Sequence, residues 1–184
     1  MSSRVLAVLV SILLCSLSGA QDKGLALNFA DAANMGTMGL SASYAVQRHW
    51  TAGASVKYNP FTYGRGTERE TYSRQRSASV VARYWPWHVY SGWWAESRLR
   101  LQEYSDGSMP RMKSEDGLRY GVGAAAGYSL MLGKHLDLEV GYGVWAGREE
   151  YRAYECPRCG RLVDEGSRFF MAASDIMLGL ALVF

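Results

Sequence analysis

Residues 169–184 read "FFMAASDIMLGLALVF". The even positions carry Phe170, Ala172, Ser174, Ile176, Leu178, Leu180, Leu182 and Phe184, and the odd positions include Ala173, Asp175, Gly179 and Ala181. A period of two marks a β-strand, whose successive side chains leave opposite faces. One face is large and apolar, and the other is small with a single acid. A strand between a core and water would carry more lysine and glutamate on its second face and fewer glycines. The fold turns on which way the apolar face points.

The same split recurs upstream. In 136–147, Leu136, Leu138, Val140, Tyr142 and Val144 oppose Asp137, Glu139, Gly141 and Gly143. In 119–132, Tyr120, Val122, Ala124, Ala126, Tyr128, Leu130 and Leu132 oppose glycine, alanine and serine. In 92–102, Trp93, Ala95, Leu99 and Leu101 oppose Glu96, Arg98, Arg100 and Gln102. Shorter alternations cover 25–30, 37–46, 50–58 and 77–85, which makes eight candidate strands. A soluble lipocalin-like barrel would turn the apolar face inward around a ligand, whereas a membrane barrel turns it outward to lipid. Aromatic placement separates the two. On the apolar face Tyr44, Trp50, Tyr84, Trp93, Tyr128 and Phe184 fall near one strand end, and Tyr58, Tyr120 and Phe170 near the other. Two girdles on one face belong to two membrane interfaces. The expected fold is therefore all-β, an eight-stranded antiparallel up-and-down transmembrane β-barrel.

The connections agree with that expectation. Those at 47–49, 86–89 and 133–135 are tight, whereas 62–76, 103–119 and 148–168 are long and charged. Short turns at one end and long loops at the other suit an outer-membrane barrel. The short first loop, "DAANMG" at 31–36, is the exception. Before the first strand, Arg4, the apolar run 5–14 and Ser18-Gly19-Ala20 read as a secretory signal peptide over 1–20, leaving a barrel domain over 21–184. A lipoprotein reading through Cys15 is weaker, because Leu14 before it is too large for the usual attachment site. The net charge of +3, mixed in sign along the chain, gives no reason to expect nucleic acid.

The inward set contains Lys57, Arg83, Arg98 and Arg100 against Glu96, Asp137, Glu139 and Asp175. Charges in a narrow interior must pair or they cost several kcal/mol each, so a balanced set reads as a salt-bridge plug rather than an ion path. Eight strands leave room for little more than side chains. A lipid A-modifying enzyme would need a nucleophile and base near the outer leaflet. His49, His88 and His135 instead fall in the short turns, at the periplasmic end. No catalytic, cofactor or metal residues are assigned.

Cys156 and Cys159 form a Cys-x-x-Cys pair in the last long loop. A closed zinc site wants four ligands, and a redox dithiol wants a helix N-terminus to lower its thiol pKa. In an exported chain a local disulfide is the favoured reading. A metal half-site completed by a partner, or redox chemistry, remains open.

The chain also resembles a known family, domain of unknown function 3575. The residues that carry the likeness are Asn59-Pro60-Phe61, Ala82-Arg83-Tyr84-Trp85, the stretch from Tyr120 through Trp145, and Tyr154-Glu155-Cys156 with Cys159-Gly160. The resemblance implies a small Gram-negative outer-membrane barrel, often encoded beside fimbrial or other envelope genes, with no known activity. The expected role is a monomeric structural or interaction protein of the outer membrane. It would touch outer-membrane lipid and meet an extracellular protein or fimbrial partner through its long loops. A lipid A-modifying enzyme and a small-solute pore are the alternatives.

Overall fold

The computed structural model describes residues 22–33, 36–63, 70–109, 113–156 and 160–184. The elements in order are β1 (Lys23–Asn28), α1 (Ala30–Ala33), β2 (Met38–Gln47), β3 (Trp50–Asn59), β4 (Thr62–Tyr63), β5 (Thr71–Tyr84), β6 (Gly92–Ser108), β7 (Lys113–Met131), β8 (Leu136–Tyr154) and β9 (Leu162–Val183). Neighbouring strands pair antiparallel. β5 through β9 follow one another around the sheet, β9 joins β1 from Gly24↔Val183 to Asn28↔Gly179, and β3 joins β5 from Trp50↔Tyr84 to Asn59↔Gln75. Eight strands thus form a closed ring of hydrogen bonds, and β4 adds a short pairing to the far end of β5. Closure satisfies the backbone groups that an open sheet leaves at its edges.

Each of the eight expected strands is present, and the period of two sorts the faces as expected. Along β6, residues alternate between buried and exposed from Gly92 to Tyr104. Around the ring Leu27, Leu40, Val56, Val80, Leu99, Val122, Val140 and Leu178 all point outward, with 43–66% of their surface exposed. The charged residues Arg83, Glu96, Arg98, Arg100, Glu139 and Asp175 point inward, beside glycines such as Gly127 and Gly141.

Three expectations need correction. The first concerns the long loops. Residues 71–76, 103–108, 113–119, 148–154 and 162–168 continue β5 to β9 as strand. Their sequence hides the pattern because, beyond the apolar stripe, both faces are polar. The strands from β5 to β9 therefore project past the ends of β1 to β3, by roughly 20 Å at ~3.3 Å per residue.

The second correction concerns Phe170. The pairing passes from Gly143↔Asp175 to Trp145↔Ala172, so β9 carries one extra residue in a bulge. A bulge reverses which face each later residue takes. Beyond it Phe169 and Met171 face outward, 74% and 71% exposed, while Phe170 turns inward against Trp145 with ring centroids 4.4 Å apart. Phe169, not Phe170, belongs to the outer aromatic set. The Tyr142 hydroxyl donates to the Ala173 carbonyl at 2.8 Å, which serves one backbone group of the bulge.

The third is smaller. Ala30 opens α1 rather than closing β1. Asn28 ends the strand instead, its side chain donating to the Ile176 carbonyl and accepting from the Leu178 N–H, as the next peptide unit would have done.

Candidate functional site: a filled interior and a projecting sheet

At the turn end the ring is closed by aromatic side chains. Trp85, Tyr90 and Trp94 are buried together with Ala125 and Val183. Tyr90 reaches them because the turn before β6 folds under the ring, with Tyr90 at φ 63° and Gly92 at φ 77°. Trp85 donates its indole N–H to Thr51 at 3.1 Å, and the Tyr90 hydroxyl meets that of Ser43 at 3.2 Å. Trp94 lies over Gly127 and Gly141, where a Cβ would come within 2.4 and 2.6 Å of its ring. His49, His88 and His135 all lie in turns at this end. The ring nitrogens of His49 and His135 contact the Trp85 and Val183 carbonyls at 2.9 and 3.0 Å, tying each turn to a neighbouring strand.

Above the aromatics lies a belt of charge. Arg83 stacks its guanidinium over the Trp94 ring at 4.1 Å and bridges Glu96 at 2.8 Å and Glu139 at 2.9 Å. Arg98 bonds Glu96 and reaches Asp175 at 3.1 Å. Arg100 meets Asp175 at 2.8 Å, and Lys57 meets it at 3.5 Å. Seven of the eight charges expected inside are thus brought into one network, contributed by β3, β5, β6, β8 and β9. Asp137 is the exception. It is 4% exposed at the turn end of β8 and makes no ion pair among the described residues.

The sequence reading passed over Asp31. It lies in α1, yet its carboxylate takes Lys57 at 2.6 Å. Gly39 makes room for it, since a Cβ there would stand 2.4 Å from the Asp31 carboxylate. Nothing periodic marks an acid in a short loop.

Beside these charges is a cavity of about 100 Å³, walled by the small residues of β1, β2 and β3 and by Arg83, Lys57 and Glu139. That is room for a few water molecules at ~30 Å³ each.

A second cluster stands where the long strands project. Glu149 is 1% exposed and accepts from Arg119 and Arg168, each at 2.5 Å. Arg168 also reaches Glu115, which accepts from the Tyr104 hydroxyl at 2.7 Å. Arg119 covers the Tyr104 ring at 3.8 Å. Burial pushes the Glu149 carboxyl up, but hydrogen bonds from Arg168 and Tyr104 and the charge of Arg119 outweigh it and hold the group below the usual carboxylate range. This cluster was missed because its members fall in segments read as loop.

Cys156 is buried, at 5% exposed. Cys159 and the two residues before it lie outside the described residues, and so does the pairing of the two thiols. Among the described residues no group of three or more His, Cys, Asp or Glu is placed to hold a metal ion, and no helix is long and apolar enough to cross a membrane.

Taken together, these features define a class: small all-β chains closed into an eight-strand antiparallel ring, apolar outside and ion-paired within. The chain belongs to the family described as protein of unknown function (DUF3575), whose model matches residues 5–184. No curated protein matches it.

Proposed function

We propose that this chain is a structural and interaction protein of the Gram-negative outer membrane, an eight-stranded antiparallel up-and-down transmembrane β-barrel. One observation carries the reading: large apolar side chains face outward around the whole ring while the charged ones face in. Water would penalise such a surface, and lipid would not. Tyr44, Trp50, Tyr84 and Trp93 border the apolar stripe at the turn end, and Tyr58, Tyr120 and Phe169 border it at the other. The spanning segments on this reading are β1 to β3 and the parts of β5 to β9 on the turn side of Ser77, Leu101, Tyr120, Arg148 and Phe169.

The projecting ends of β5 to β9 then stand outside the cell. Residues 1–20 direct export, and 21–184 remain. The interior charges seal and stiffen the barrel. A disulfide between Cys156 and Cys159 fastens the last external turn, in keeping with the burial of Cys156 and an oxidising compartment. The barrel is a monomer in outer-membrane lipid. Its external sheet meets an extracellular protein, as an envelope or fimbria-associated accessory, and the chain catalyses no reaction.

The test pairs surface labelling with lipid analysis. An epitope placed between β6 and β7 should be stained on intact cells, and lipid A mass spectra of a deletion strain should match the parent. Unstained intact cells would reverse the orientation. An altered acyl pattern restored by the wild-type gene would replace this role with a lipid-modifying one.

A further inference from the structure

β9 is the longest strand and the least enclosed. β8 pairs with it from Leu182 up to Leu162, but on its other side β1 stops at Asn28↔Gly179. Phe29 donates one more hydrogen bond, to the Leu178 carbonyl at 2.7 Å, and the Asn28 side chain closes the row at Ile176. Beyond the bulge nothing among the described residues pairs with that side. On the far side of the gap the edge of β5 is covered by β4, through Thr62↔Tyr72 and Tyr63↔Thr71. Among the described residues the edge of β9 has no such cover, and residues 161–169 are exposed on both faces.

The register identifies the open groups. Near the chain end Val183 donates to the His135 carbonyl while Phe184 exchanges hydrogen bonds with Lys23, so odd residues turn toward β8 and even ones toward β1. The extra residue in the bulge reverses this. Above it Glu165, Ser167, Phe169 and Met171 turn both backbone polar groups to the open side. Exposed edges are commonly blunted by proline, by lysine or by shortness. Residues 164–171 contain neither proline nor lysine, and their only charges are Asp164, Glu165 and Arg168.

We propose that this edge is a strand-addition site, where an extended segment of another protein lies antiparallel along residues 164–171. The proposal rests on the reading of the projecting sheet as external, and it names the partner's chemistry. A row of alternating N–H and C=O groups at strand spacing is matched only by another extended backbone. On the outer face Phe169 and Met171 are 74% and 71% exposed, with Glu165 further along, and a second register shift at Val163 ends the row. The added strand would carry apolar residues at alternate positions and a cation opposite Glu165. A second copy does not fit. Copies in one membrane run their β9 strands in the same direction, whereas an antiparallel ladder would need one of them inverted.

The probe is the extended peptide VTVTTTK, which laid antiparallel sets valine against Met171 and Phe169 and lysine against Glu165. Amide exchange is followed by NMR on the folded full chain in detergent. The amides of Glu165, Ser167, Phe169 and Met171 should exchange fast alone and about tenfold slower with saturating peptide. Those of Gly166, Arg168 and Phe170 should be slow throughout. Ser167→Pro removes an open-side N–H and leaves the β8 ladder intact, so it should abolish the protection while the protein keeps its heat-modifiable migration. No protection at millimolar peptide overturns the proposal. So does a peptide-independent dimer that Ser167→Pro dissolves, which would give the edge to a second copy. Neither result disturbs the membrane reading, which the heat-modifiable migration and surface staining report separately.

Discussion

Asp175 is the residue on which the interior depends most. It receives three cations, Arg98, Arg100 and Lys57, and among the described residues it is the only ion-pair partner of Arg100. Removing one member of a buried charge network leaves the others desolvated without compensation, at about 3–5 kcal/mol. Asp175→Asn should lower the free energy of unfolding in detergent by that much, from a urea titration read by tryptophan fluorescence. Asp137→Asn should not. That carboxylate is buried beside Glu139 with no ion pair among the described residues, so an amide there relieves a cost, and its free energy of unfolding should equal or exceed the wild-type value. The inward position of each charge was legible from the alternation, because parity decides it. Which charges would pair was not, since Asp137 and Glu139 look equivalent on the strand and only Glu139 meets Arg83.

At the scale of elements, β9 shows both what the sequence exposes and what it conceals. Its final stretch reads correctly from Ile176 to Phe184. The bulge then reverses the faces, and no turn residue announces it, since "AAS" carries neither glycine nor proline. The projecting ends of β5 to β9 were concealed for another reason, because period two is visible only where one face is apolar and charged residues on both faces read as loop. Their order depends on Glu149, whose carboxyl is held below its ordinary range. A depressed carboxyl contributes stability that is full above its unfolded pKa, ~4.3 for glutamate. The contribution fades as pH falls through the lower folded value. Resistance of residues 148–168 to pepsin should therefore be full at about pH 5 and decline once the pH drops below ~4.3, and Glu149→Gln should lose most of that dependence. The other end of β9 closes the ring, with Phe184 and Lys23 exchanging two hydrogen bonds of 2.9 Å. Deleting Phe184 removes both together with a terminal aromatic, and should reduce the heat-modifiable folded fraction well below wild type.

For the whole molecule the central claim is that the outward apolar stripe faces lipid. The eight strands and their order around the ring could be anticipated because each alternation is local and the connections are short at one end. The lopsided height of the ring could not, because it depends on how far β1 to β3 fall short of β5 to β9. Lipid contact is measured most directly with spin labels at Val80, Leu99, Val122 and Val140, one on each of β5 to β8, in liposomes with Cys156 and Cys159 replaced by serine. Labels at Ser105 and Glu150 serve as references on the projecting sheet. The four belt labels should collide readily with dissolved oxygen and hardly at all with a water-soluble nickel complex, and the two references should do the reverse. Belt labels as open to the nickel complex as those at Ser105 and Glu150 would contradict the account.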